Sequence, residues 1–71
     1  MTATRILQGK MREKQFTLKS LANAMGLSTT ALFNKVHNQR EFLVSEVHFL
    51  CNALSLTEKE MEAIFFAASV E

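Results

Sequence analysis

Seventy-one residues with eight Lys and Arg against seven Asp and Glu, a formal net charge of +1, describe one small domain, residues 1–71, near the lower size limit for a core without staples. The composition is 48% hydrophobic with no Pro, and the single Cys51 excludes an internal disulfide and fits a reducing compartment. No run approaches the ~18 apolar residues of a membrane span, and the opening MTATRILQGKMREK lacks the apolar stretch of a secretory signal. A cytoplasmic protein with no membrane partner is expected.

Strand-forming runs are scarce, so the economical solution is all-α, a compact five-helix bundle. The first predicted helix covers residues 3–14, with Ile6, Leu7 and Met11 as a narrow apolar stripe. The second starts after Phe16 with Thr17 as its N-cap, and turns Leu18, Leu21, Ala22 and Met25 inward. Ser28 is the N-cap expected for the third, which buries Leu32 and Val36. Asn38 then suits a left-handed helix end. A loop through Gln39, Arg40 and Glu41 leads to Phe42, a core plug. The fourth helix runs from about Val44 to Leu54, with Val47, Leu50, Cys51 and Leu54 on one face. Thr57 with Glu60 reads as a capping box opening a fifth helix that buries Met61, Ile64 and Phe65 or a neighbour.

Charge is segregated along the chain. Residues 1–20 carry five basic side chains against Glu13, a net of +4, and residues 45–71 carry Lys59 against five Glu, a net of −4. A basic half and an acidic rear suit an anionic partner on one side only.

The most specific stretch is LKSLANAMGLSTTALFNKV, Leu18 to Val36. Its helical periodicity holds through Met25, breaks at Gly26 and resumes in a new phase at Leu27, Leu32 and Val36. Small Ala22 lies four residues before the break. That pattern predicts two short helices crossing steeply through a tight turn, with a glycine where φ is positive. The stretch resembles the helix-turn-helix of the phage repressor and Cro family, whose second helix enters the major groove of DNA. The likeness covers roughly residues 15–67, because HNQREFLVSEVHFLCNALSL is similar to the loop and fourth helix of small phage regulators from Gram-positive hosts. Two departures stand out. The usual Asn-Gly turn is replaced by His37-Asn38-Gln39-Arg40, and Phe33 and Phe49 take outer positions where such proteins are commonly polar.

The resemblance implies a bacterial cytoplasmic regulator that occupies operator DNA. Thr29, Thr30 and Asn34 take the base-edge positions: Asn can pair with an adenine edge, and Thr can meet a thymine methyl or a phosphate. Ser28 brings a helix N-terminus to phosphate, and Lys35, Gln39 and Arg40 grip the backbone, with Lys14 and Lys19 reaching from the other side. Phe33, Phe49 and Phe66 are candidate protein contacts, since exposed aromatics anchor interfaces. Their partner is either a second copy, as paired half-sites require, or another helix-turn-helix protein.

Enzymatic, metal and cofactor chemistry is not expected. His48 and Cys51 lie three apart, but no CxxC completes a zinc set. No nucleophile elbow or glycine-rich phosphate loop is present. The leading expectation is therefore a Cro-like repressor in the lysogenic–lytic switch, excluding polymerase or a competitor sterically. The alternative is an antirepressor of the same fold that binds and inactivates a partner repressor. An antitoxin is a distant third, because such proteins usually add a toxin-binding tail.

Overall fold

Turns of one construction set the path of the chain. The computed structural model describes residues 1–66. Helices α1 (Thr4–Glu13), α2 (Leu18–Met25), α3 (Thr29–Val36), α4 (Val44–Ala53) and α5 (Glu58–Met61) follow in order, and α5 widens into a π-helical turn, Glu62–Phe66. Residue 67 of the stretch compared above, and Glu71 of the acidic rear, lie outside the described residues.

Each of α1 to α4 ends on a single left-handed residue: Gln15 (φ 64°), Gly26 (φ 72°), Asn38 (φ 65°) and Ser55 (φ 52°). At each, the following N–H reaches back five residues: Phe16 to Met11 (2.8 Å), Leu27 to Ala22 (2.9 Å), Gln39 to Asn34 (2.7 Å) and Leu56 to Cys51 (2.9 Å). This is the Schellman arrangement, which satisfies carbonyls the helix end would orphan. Three of the turns continue identically, with an apolar residue packed on the core and then a hydroxyl N-cap. They are Gln15-Phe16-Thr17, Gly26-Leu27-Ser28 and Ser55-Leu56-Thr57. Thr17, Ser28 and Thr57 each accept the N–H three residues on, from Ser20, Ala31 and Glu60. At α2 the reciprocal bond comes from Ser20, whose Oγ accepts the Thr17 N–H at 2.9 Å.

The helices close on one core. Leu7, Leu21, Leu32, Leu50, Leu54, Ile64 and Val36 are fully buried, joined by Met11, Ala22, Val47 and Phe65. Each fully buried aliphatic side chain contributes about 1.5–3 kcal/mol. Phe42 and Cys51 are half-buried against this core, and Phe42 meets the Phe65 ring edge-on at 5.6 Å. Ile6 does not join the stripe expected of it. Leu7 and Met11, four apart, share one line along α1, whereas Ile6 sits a third of a turn away and faces solvent.

The N-terminal residues form a tie across the bundle. Ala3 N–H donates to the Ile64 carbonyl at 2.6 Å, a group inside the π turn. The Asn38 side chain takes both backbone polar groups of Thr2, accepting its N–H at 2.7 Å and donating to its carbonyl at 3.0 Å. Thr4 Oγ1 donates to the Val36 carbonyl at 2.7 Å. The radius of gyration, 11.1 Å, equals the value of about 11 Å for a compact chain of this length. Among the described residues there is no strand, and no helix is long and apolar enough to cross a membrane.

Candidate nucleic-acid interface

Burying Leu32 and Val36 decides what α3 shows to solvent. Ser28, Thr29, Thr30 and Phe33 are exposed and Asn34 is partly so. Ser28 is spent as the cap, its Oγ accepting the Ala31 N–H at 3.0 Å. Thr30 and Asn34, four apart, stand on one line of the helix. No ion pair or hydrogen bond among the described residues holds the Thr29, Thr30 or Asn34 side chains. The Asn34 carbonyl accepts the N–H groups of Gln39 (2.7 Å) and Arg40 (3.2 Å). Those bonds hold the backbone of both residues at the far end of the same helix, with their side chains exposed.

α2 and α3 pack on each other, and a groove of about 510 Å³ opens between their first turns. Thr17, Lys19, Ser20 and Asn23 line one wall, with Leu27, Ser28 and Thr29 opposite. Two helix N-termini and an exposed ammonium thus border one depression, an electropositive arrangement that favours anions. Ser20 and Asn23 were not anticipated as wall residues. Their signal lay in the sequence, where Thr17, Ser20 and Asn23 recur every three residues opposite the buried Leu21 and Ala22.

Lys35 is placed elsewhere than expected. Its Nζ lies 2.6 and 2.7 Å from the two carboxylate oxygens of Glu46 on α4, with only 13% of either side chain exposed. Glu46 Oε1 also accepts the Leu43 N–H at 2.8 Å, so the pair joins the end of α3 to the start of α4. Its charge is neutralised there, which removes Lys35 from the cations turned to solvent. Lys10 is engaged similarly by Glu13 and Glu60. Arg12, Lys14, Lys19 and Arg40 remain exposed.

The three outer phenylalanines occupy separate places. Phe33 is 46% exposed and stacks on His37, ring centroids 4.2 Å apart, beside a second groove of about 370 Å³. Gln8, Arg12, Phe16 and Leu18 form its other walls. Phe49 lies next to Ala24 and Met25 at the end of α2, and Phe66 abuts Phe65 edge-on at 6.4 Å. Burial raises the pKa of the Cys51 thiol, keeping it protonated at neutral pH. Among the described residues no three His, Cys, Asp or Glu side chains converge on a metal-sized space.

Comparison with known proteins returned no match: no family model, no curated protein and no solved structure aligns significantly with the chain.

Proposed function

We propose that this chain is a Cro-like, phage-type transcriptional regulator in which α2 and α3 act as a helix-turn-helix and α3 enters the major groove of operator DNA. The observation that carries the reading is the surface shared by the two helix starts. Thr29, Thr30 and Asn34 stand unengaged on α3, and the groove beside them is bordered by Lys19 and two helix N-termini. Base edges are read by such amide and hydroxyl groups, and phosphates are held by such N-termini and cations. Arg40 and Gln39 supply backbone contacts at the other end; Lys35 instead steadies α3 against α4. The setting is a bacterial host cytoplasm, in a lysogenic–lytic decision, with RNA polymerase or a rival repressor excluded by occupancy.

Selection from a pool of randomised DNA duplexes tests this directly. Recovery of a recurring motif supports the reading, and a pool still random after repeated rounds rejects it.

One observation favours a second reading, an antirepressor of the same fold. Phe33 is exposed beside an apolar-walled groove on α3 itself, where a hot-spot aromatic of a protein interface would sit. Titration with a longer helix-turn-helix repressor distinguishes the two. Binding lost in Phe33→Ala, without a change in melting temperature, assigns the face to protein.

A further inference from the structure

Residues 2–4 bind both ends of a path that runs from α3 to the π turn. Asn38 accepts the Thr2 N–H at 2.7 Å and donates to the Thr2 carbonyl at 3.0 Å. Ala3 N–H reaches the Ile64 carbonyl at 2.6 Å. Thr4 Oγ1 donates to the Val36 carbonyl at 2.7 Å and accepts from Asn38 Nδ2 at 3.4 Å. The bond to Val36 is partly buried, so losing the hydroxyl leaves a sheltered carbonyl without this donor.

Helix α3 has eight residues, too few to persist without outside support. Its first turn is held by the Ser28 cap and by packing on α2. Its last turn is held differently. Asn38, with φ 65°, brings the Gln39 and Arg40 N–H groups back to the Asn34 carbonyl at 2.7 and 3.2 Å. The side chain of that same Asn38 is what residues 2–4 grip. We infer that these residues are a strap that positions the far half of α3, with Thr4 and Asn38 as positioning residues for Asn34 and Arg40. The Lys35–Glu46 pair holds a flank of this half through a long, flexible stem. The strap instead grips the Val36 carbonyl and the turn that follows it. Thr29 and Thr30, in the first turn, depend on Ser28 and α2 instead. The mechanical coupling stands without DNA; its effect on base preference rests on the function proposed above.

Thr4→Val removes the hydroxyl and keeps the shape, and Asn38→Gly removes the amide and keeps the left-handed turn. Amide hydrogen exchange on the full chain tests the coupling without DNA. In both variants the Gln39 and Arg40 amides should exchange about fivefold faster or more relative to Ala31 and Leu32. Thr4→Ser should restore the native ratio. A general loss of stability speeds all four amides together, so an unchanged ratio overturns the inference. On a selected duplex, both variants should lose preference about threefold or more at the base position that Asn34→Ala identifies. Preference at the positions identified by Thr29→Ala and Thr30→Ala should persist. Uniform weakening at every position overturns the positioning role. A native chain that selects no motif rejects the DNA function, and the exchange ratio then decides the strap.

Discussion

At residue scale, backbone conformation at the helix ends makes the sharpest predictions. A left-handed backbone costs an L-residue about 1 kcal/mol or more, and glycine avoids that cost. Gln15→Gly and Ser55→Gly should therefore each stabilise the fold by about 0.5–1 kcal/mol, since both φ values are positive. Gly26→Ala should destabilise by a similar amount through φ alone, because an added Cβ meets nothing within 4 Å. Gly9, inside α1 with equally open space, should gain about 1 kcal/mol on replacement by Ala. Thermal melts resolve these changes, at about 4–8 °C per kcal/mol for a domain of this size. Asn38→Gly runs against the trend. It relieves the backbone but removes both bonds to Thr2, and net destabilisation with faster exchange of the Thr2 amide is expected.

Some of this was legible in the sequence and some was not, for local reasons. Thr17, Ser28 and the Thr57–Glu60 pair declare their caps because a hydroxyl before an apolar run has few other uses. Gly26 and Asn38 declare positive φ by residue type. Gln15 and Ser55 carry no such mark, and their conformation follows from where the next apolar residue must pack. Lys35 was read as a phosphate contact because its partner Glu46 lies eleven residues away, beyond any helical spacing. The tie from Thr2 to Asn38 spans thirty-six residues and is invisible to local pattern for the same reason.

Between elements, two ion pairs are expected to behave differently. Lys35 and Glu46 are mostly shielded and Glu46 also caps the α4 backbone. Lys35→Ala strands a carboxylate there and should cost about 2–3 kcal/mol. If the chain binds DNA as proposed, the variant should leave the salt dependence of that binding unchanged, because the ammonium is already neutralised, whereas Lys19→Ala should reduce the slope by about 1. The Lys10–Glu60 pair joins α1 to α5 at the surface and reports on pH. The hydrogen bond from Lys10, then that from the Thr57 backbone N–H, lowers the Glu60 pKa. Its contribution is present above the ordinary carboxylate pKa and disappears as pH falls through the lowered value. Hydrogen bonds that Lys10 donates to Glu60 and Glu13 raise its pKa above the ordinary 10.5. That contribution is complete below 10.5 and is lost as pH climbs past the raised value. Melting temperature should be flat between these limits. Glu60→Gln, which keeps an acceptor for the Thr57 N–H, should flatten the acid limb without unfolding the helix start. The π turn had no sequence signal; inside it, the Ile64 carbonyl is taken up by the Ala3 N–H, a contact made by the far end of the chain.

For the molecule as a whole, the arrangement separates tasks by helix. α1, α4 and the π turn supply much of the core, and Lys35–Glu46 fixes α3 against that support. The outward side of α3 is left with Thr29, Thr30 and Asn34, the set that the proposed DNA reading assigns to base edges. The groove at Phe33 lies on residues away from that set. The core was largely legible because its apolar residues recur at helical spacing. The choice between DNA and protein on α3 was not, since Thr, Asn and Phe serve either. The most direct measurement is base preference at each position of a selected duplex, compared between the native chain and Asn34→Ala. If α3 reads bases, preference should collapse by about 1–3 kcal/mol at one position and persist at the others. An unaltered preference profile in Asn34→Ala, with only a uniform change in affinity, would contradict a base-reading α3.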